Sequence, residues 1–169
     1  MAEISGTGAH LNAAQLRVWT SLLDASRILD TELEAVLVSN HGMTHREYEV
    51  LVRIDGAGGR ARMSTLARQI EASAALISQT VAKLEARGWL ERTTSPEDRR
   101  GIDATLTPAG RTALATASAP HAALIERLLL DRLGDKTEAV GESLGEVADH
   151  LRAHRAGEPC SDLACPMTN

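Results

Sequence analysis

Residues 84–106 constrain this chain more than any other stretch. Ser95-Pro96-Glu97-Asp98-Arg99-Arg100-Gly101 is a polar turn with two adjacent arginines, and it joins two short β-prone runs, Gly88 to Thr94 and Ile102 to Leu106. Just before them, Leu76, Ile77, Thr80, Val81 and Leu84 recur at helical spacing in the segment Ser73 to Arg87, which opens on a small polar residue able to cap its first amides. An amphipathic helix followed by strand, basic turn and strand leaves few architectures open. The order predicts a helix-turn-helix with a hairpin wing, and Glu71-Ala72-Ser73 supplies the tight turn ahead of its second helix.

DNA offers two surfaces that suit such a pair. A helix fits the major groove, where base edges carry a distinguishable donor and acceptor pattern. An arginine on a narrow turn fits the minor groove, where negative potential is focused. Arg99 and Arg100 stand where a guanidinium would project farthest, and the Asp98 carboxylate can orient one of them through paired hydrogen bonds. The net charge of -5 argues against nucleic acid only as an average. Residues 60–112 hold nine Lys/Arg against six Asp/Glu, a net of +3 that leaves -8 for the remainder, so the attractive field is local to this unit.

A length of 169 residues is enough for a substantial core. With no Phe and only Trp19, Tyr48 and Trp89 as large aromatics, that core has to come from Ala- and Leu-rich helices packed closely. From Asn12 to Val38, Leu16, Trp19, Leu22, Leu23, Ile28, Leu29, Leu33, Val36 and Leu37 form an apolar stripe longer than one small domain needs, which predicts a partner helix. Thr44-His45-Arg46-Glu47 fits a capping box opening a helix that Gly56-Ala57-Gly58-Gly59 ends, and a short helix is expected from Ser64 to Ile70. Thr107-Pro108 starts another helix, expected to reach Leu133 with a kink near His121 because Pro120 lies inside it. A last helix runs from Lys136 to His154. Tyr48 is expected to anchor its helix to the core and Trp89 to pack under the wing.

The fold expected is mainly α with a small β-hairpin: a winged helix-turn-helix DNA-binding lobe plus a helical dimerisation lobe. Residues 1–40 and 108–156 form the dimerisation lobe, 41–107 the DNA-binding lobe and 157–169 a mobile tail. No apolar run approaches 18 residues and no basic stretch leads into an apolar one, so a cytoplasmic protein without a membrane partner is expected. Nucleophile-elbow, phosphate-loop and His-Glu-x-x-His patterns are all missing, so neither an enzyme nor a cofactor is expected.

Met63-Ser64-Thr65-Leu66-Ala67, the helix Ala75 to Lys83, Leu84-Glu85-Ala86-Arg87-Gly88-Trp89-Leu90, Asp98-Arg99-Arg100 and Leu106-Thr107-Pro108-Ala109-Gly110 together resemble the multiple antibiotic resistance regulator (MarR) family. The resemblance implies a triangular homodimer in which the N-terminal helix and the last two helices of each chain intertwine. It further implies repression by occupancy of a palindromic promoter site, relieved by a small aromatic or otherwise lipophilic effector. The family's minor-groove arginine falls on Arg100 and its orienting acid on Asp98. Its recognition-helix positions fall on Ser73, Ala75, Leu76, Ser78, Gln79, Thr80 and Lys83. On chemical grounds Gln79 is the best base reader, since its amide donates and accepts at once, and Ser78 and Thr80 suit bases or phosphates. Lys83 and Arg92 suit phosphates.

Trp19, His45, Arg53 and His121 are the residues expected to line an effector pocket. His150 and His154 share a helix face, and Cys160 and Cys165 follow, a donor set that suits zinc. Their spacing matches no strong zinc motif, so no metal is assigned. A winged-helix module that binds only protein, and a redox- or zinc-responsive regulator working through that His/Cys segment, stay open beside the DNA-binding reading.

Overall fold

The computed structural model describes residues 11–95 and 101–155, which form two compact units, one ending at Leu124 and the other beginning at Ile125. In the first unit the order is α1 (Ala13–His41), α2 (His45–Gly56), β1 (Arg60–Arg62), α3 (Met63–Gln69), α4 (Ala74–Ala86), β2 (Leu90–Thr94), β3 (Ile102–Leu106) and α5 (Pro108–Ile125). The second unit holds a π-helical turn, Glu126–Leu130, the short α6 (Asp131–Leu133), a 3-10 turn, Gly134–Lys136, and α7 (Thr137–Arg155).

Local hydrogen bonds fix most helix starts. Asn12 Oδ1 accepts from the amides of Ala14 and Gln15 while Gln15 Oε1 accepts from the Asn12 amide, closing a capping box on α1. Gly42 ends that helix at φ +62°, where a side chain would be strained. The Thr44 and Glu47 side chains close the expected box on α2, at 3.2 Å and 2.9 Å. Ser73 Oγ accepts from the Leu76 amide to open α4, and Thr107 Oγ1 accepts from the Gly110 amide to open α5. Glu71 turns the chain between α3 and α4 at φ +57°.

The β-structure exceeds the expected hairpin. Arg60–Arg62 forms a third strand, pairing antiparallel to β3 with Ala61 opposite Ala104, so the sheet order is β1-β3-β2. In β2–β3, Leu90 pairs with Leu106 and Thr94 with Ile102. Arg60 fastens the added strand: its guanidinium meets the buried Asp103 carboxylate at 2.5 Å and 2.8 Å. Helical structure runs through Pro120 to Ile125, and a π turn follows five residues beyond His121.

The core of the first unit gathers Val50, Leu51 and Ile54 of α2, Leu66 of α3, Ile77, Val81 and Leu84 of α4, and Leu90, Ala104 and Leu106 of the sheet. Leu37 from α1, Met43 before α2, and Leu114 and Ala117 from α5 join it. Each buried Leu, Ile or Val contributes about 1.5–3 kcal/mol, so the seating of α4 rests on its three large apolar side chains rather than on its cap. Tyr48 is buried as expected, and Trp89 is partly buried against this core.

Candidate nucleic-acid interface

Helix α4 presents two faces. Ile77, Thr80, Val81 and Leu84 turn inward, whereas Ser73, Ala75, Leu76, Ser78, Gln79 and Lys83 are exposed. Thr80 therefore corrects the expectation that it reads DNA. It is 5% exposed, and its hydroxyl donates to the Leu76 carbonyl at 2.9 Å. The 77, 80, 81, 84 spacing already placed it on the inward arc; its hydroxyl alone suggested otherwise.

Arg92 is likewise committed within the chain. Its guanidinium reaches Glu85 Oε2 at 2.6 Å and 2.8 Å, and its amide donates to Glu85 Oε1 at 3.2 Å. The hydrogen-bonded guanidinium holds the Glu85 carboxyl below its usual pKa. This pair links β2 to α4 on the exposed surface. Arg87, which ends α4, donates to the Gly42 carbonyl at 2.8 Å, approaches Glu47 at 3.4 Å and lies 5.1 Å over the Trp89 ring. The C-terminal end of the exposed helix is thus tied to the corner between α1 and α2.

At the wing, the Ser95 amide donates to the Gly101 carbonyl at 2.8 Å and closes the base of the hairpin. Asp98, Arg99 and Arg100 lie outside the described residues, as do Cys160 and Cys165. Arg62 was passed over in the sequence. Its guanidinium packs against Gly101 so closely that a Cβ at 101 would overlap it. The signal was an Arg-Ala-Arg run with no β-branched residue, which gives no hint of a strand.

A concavity of about 830 Å³ lies between α1, α2 and α4 and is lined by Asp30, Glu34, His45, Arg53, Leu76 and Lys83 among others. His45 Nδ1 meets Asp30 Oδ1 at 2.7 Å, and its backbone amide donates to the Glu34 carboxylate. Of the four expected pocket residues, His45 and Arg53 line this space and the other two do not. Trp19 is 53% exposed on α1, and His121 is buried, its ring 5.5 Å from that of His45 and 4.3 Å from that of Tyr48. Burial, with a smaller contribution from His45, pushes the His121 pKa below the usual imidazole value. His150 and His154 share α7, and no group of three or more His, Cys, Asp or Glu among the described residues is arranged to hold a metal. No helix among those residues is long and apolar enough to cross a membrane.

A capped helix with an exposed polar face, preceded by a second helix across a tight turn and followed by a hairpin on a three-stranded sheet, defines a winged helix-turn-helix DNA-binding protein. The sequence model of the MarR family matches residues 41–101. Sco3205, a MarR family transcriptional regulator from Streptomyces coelicolor solved in complex with DNA, is 31% identical over 87% of this chain and 93% of its own, with a TM-score of 0.81. AbsC, a MarR family transcriptional regulator from the same organism, is 29% identical over 86% of this chain and 99% of its own, also at 0.81. The organohalide-sensing RdhR regulator in its 2,4-dichlorophenol-bound form shares the fold, with 14% identity, 99% coverage of both chains and a TM-score of 0.74. No curated protein matches the chain. The chain belongs to the MarR family, whose members are DNA-binding transcriptional regulators rather than enzymes.

Proposed function

We propose that this regulator is a homodimeric, effector-responsive repressor that acts in the cytoplasm by occupying a palindromic promoter site. The observation that carries the reading is the outer face of α4, where Ser78 and Gln79 stand exposed on a helix seated by Ile77, Val81 and Leu84. Gln79 reads a base edge through its amide, and Ser73, Ser78 and Lys83 set register on neighbouring bases or phosphates. Asp98 and Arg100, in the segment that joins β2 to β3, serve the adjacent minor groove.

Dimerisation is supported by apolar side chains left open on two helices. Leu16, Trp19 and Ile28 on α1 and Leu144, Val147 and Leu151 on α7 are all exposed in the single chain. A two-fold dimer places two α4 helices about one helical turn of DNA apart, which is the geometry a palindrome requires. The effector reading is supported by the concavity between α1, α2 and α4, where the apolar Val52 and Leu76 lie beside a mixed rim of Arg46, Arg53 and Lys83 with Asp30, Glu34 and Glu49. A small aromatic or lipophilic molecule suits the apolar part of that lining. Because Leu76 and Lys83 belong to α4, an occupant acts on the reading helix itself and favours states that no longer match both half-sites.

The test is a titration of the purified protein against DNA upstream of its own gene, with an unrelated duplex and a salt series as controls. Sequence-selective binding by a dimer, weakened by a small aromatic or lipophilic molecule, is the expected result. Equal affinity for both duplexes across all sites recovered by random-site selection would overturn it.

A further inference from the structure

Arg87 ends α4, and its guanidinium meets three different elements from one place. Nη1 donates to the Gly42 carbonyl at 2.8 Å and approaches Glu47 Oε2 at 3.4 Å, and the guanidinium carbon lies 5.1 Å from the centre of the Trp89 ring. Gly42 caps α1, Glu47 belongs to the box that opens α2, and Trp89 leads into β2 and the wing. The Glu47 carboxylate is itself fixed, since its side chain is 4% exposed and the same Oε2 accepts the Thr44 amide at 2.9 Å. A guanidinium spread over a carbonyl, a carboxylate and a ring is held in one pose, which a lone surface charge is not. The main packing of α4 is against α2, α3 and β2, whereas α1 packs on α2. Arg87 therefore joins the reading helix directly to the end of α1.

We propose that Arg87 is a positioning residue for DNA recognition, one that fixes the angle between α4 and α1 and thereby the half-site spacing the dimer accepts. The inference rests on the homodimeric reading, in which exposed apolar side chains toward the far end of α1, Leu16 and Trp19 among them, meet a second copy. α1 has 29 residues, about 43 Å at 1.5 Å per residue. A change of about 5° at its Gly42 end shifts the far end by about 4 Å relative to α4, more than one base-pair step of about 3.4 Å. Packing alone is a weak brake on such a change. The buried residues of α1 are Leu33 and Leu37, both in its last three turns, so the apolar anchorage is short against the length of the lever. Asp30 and Glu34 fasten α1 to His45 on α2, and the arm that reaches from α4 is Arg87. With that angle loose in each protomer, two reading helices can settle on several spacings. With it fixed, they are bound to one.

Wild type, Arg87→Lys, Arg87→Met and the double variant Arg87→Met with Glu47→Gln are compared by fluorescence anisotropy over a salt series. The duplexes are a palindrome from random-site selection, the same palindrome with one base pair added or removed between its half-sites, and a single half-site. The double variant takes away the carboxylate that Arg87→Met strands in the interior, while glutamine keeps the cap on α2, so the comparison stands even where the single variant fails to fold. Arg87→Met and the double variant are expected to bind the selected palindrome about tenfold more weakly and the single half-site within about twofold of wild type. They are also expected to discriminate less between the selected and the altered spacings. The slope of log affinity against log salt stays as in wild type, because Arg87 is engaged within the chain and releases no counterion. Arg87→Lys, which keeps one donor for the Gly42 carbonyl, falls between. Equal losses on half-site and palindrome would overturn the inference and leave Arg87 as a support of the lobe alone. So would a lowered salt slope, the mark of a direct phosphate contact, or a spacing preference unchanged in the variants. Wild-type binding that gains nothing from a second half-site would instead overturn the homodimeric reading on which the inference stands.

Discussion

Gly110 sits in the first turn of α5, where alanine is the better helix former and helix propensity alone predicts that Gly110→Ala stabilises by about 0.5–1 kcal/mol. The packing predicts the opposite sign. A Cβ at 110 would overlap the Trp89 carbonyl oxygen and stand 2.9 Å from the Trp89 carbonyl carbon and 3.0 Å from Leu106 Cδ2. The Trp89 carbonyl is held in place, since it accepts the Thr107 amide at 3.1 Å, and Thr107 in turn donates from its hydroxyl to the Gly88 carbonyl at 2.7 Å. The backbone cannot yield cheaply, and overpacking of this kind costs about 1–3 kcal/mol. With the propensity gain subtracted from the middle of that range, Gly110→Ala should destabilise by about 1–1.5 kcal/mol, a fall in Tm of about 2–6 °C for a chain of this size. Gly145→Ala is the internal control. It is a glycine inside a helix as well, it has nothing within 4 Å of its Cβ position, and it lies away from the Leu144–Val147–Leu151 stripe of α7, so there the same change should raise Tm. Urea and thermal unfolding at one fixed protomer concentration report both. If Gly110→Ala matched or exceeded the wild type in stability, the close approach of α5 to the β2 entrance would be wrong.

Three further outcomes are expected. Gln79→Ala should cost about 1–3 kcal/mol of discrimination at one base pair, while leaving affinity for an unrelated duplex unchanged; equal losses on both duplexes would deny it a reading role. Glu85→Ala should release Arg92 for phosphate contact and steepen the salt dependence of DNA binding, and a salt slope identical to wild type would show that Arg92 faces away from the duplex. His121 binds protons less readily folded than unfolded, because burial lowers its pKa, so its contribution to stability is full above the ordinary imidazole pKa of about 6.5 and is lost as pH falls below that value toward the folded one. Urea unfolding at pH 7.5 and pH 5.5 should show a smaller acid loss in His121→Phe than in the wild type, and equal losses would remove His121 from the account.

What the sequence made legible was what short-range hydrogen bonds decide. Thr44 with Glu47, Ser73, and Thr107 with Pro108 each mark a helix start through atoms three residues apart, and all stand where expected. The inward stripe of α4 follows from periodicity alone, and Thr80 erred only where residue type overruled that stripe. What stayed hidden depends on partners beyond one helical turn. β1 is a strand because β3 pairs with it more than forty residues later, and Arg92 meets Glu85 because β2 runs back along α4. His45 and Arg53 proved to share a cavity, but Trp19 and His121 do not line it, since neither the exposure of one nor the burial of the other is written in local spacing.

The core under the DNA-facing elements has a consequence for how such modules can be moved between proteins. Leu37 and Met43 reach it from the N-terminal side, and Leu114 and Ala117 close it from α5. A graft cut at the apparent edges of the DNA-binding lobe, 41–107, would carry the reading helix and the wing but leave an open apolar cleft where three of these four side chains had been. A transplantable unit has to include the last turns of α1 and the first half of α5, so a change of operator by exchange of parts brings with it helices from both sides of the lobe. Substitution on the outer face of α4 carries no such burden, since Ser78 and Gln79 stand exposed and outside that core, and on the proposed reading point changes there are the simpler route to a new binding site.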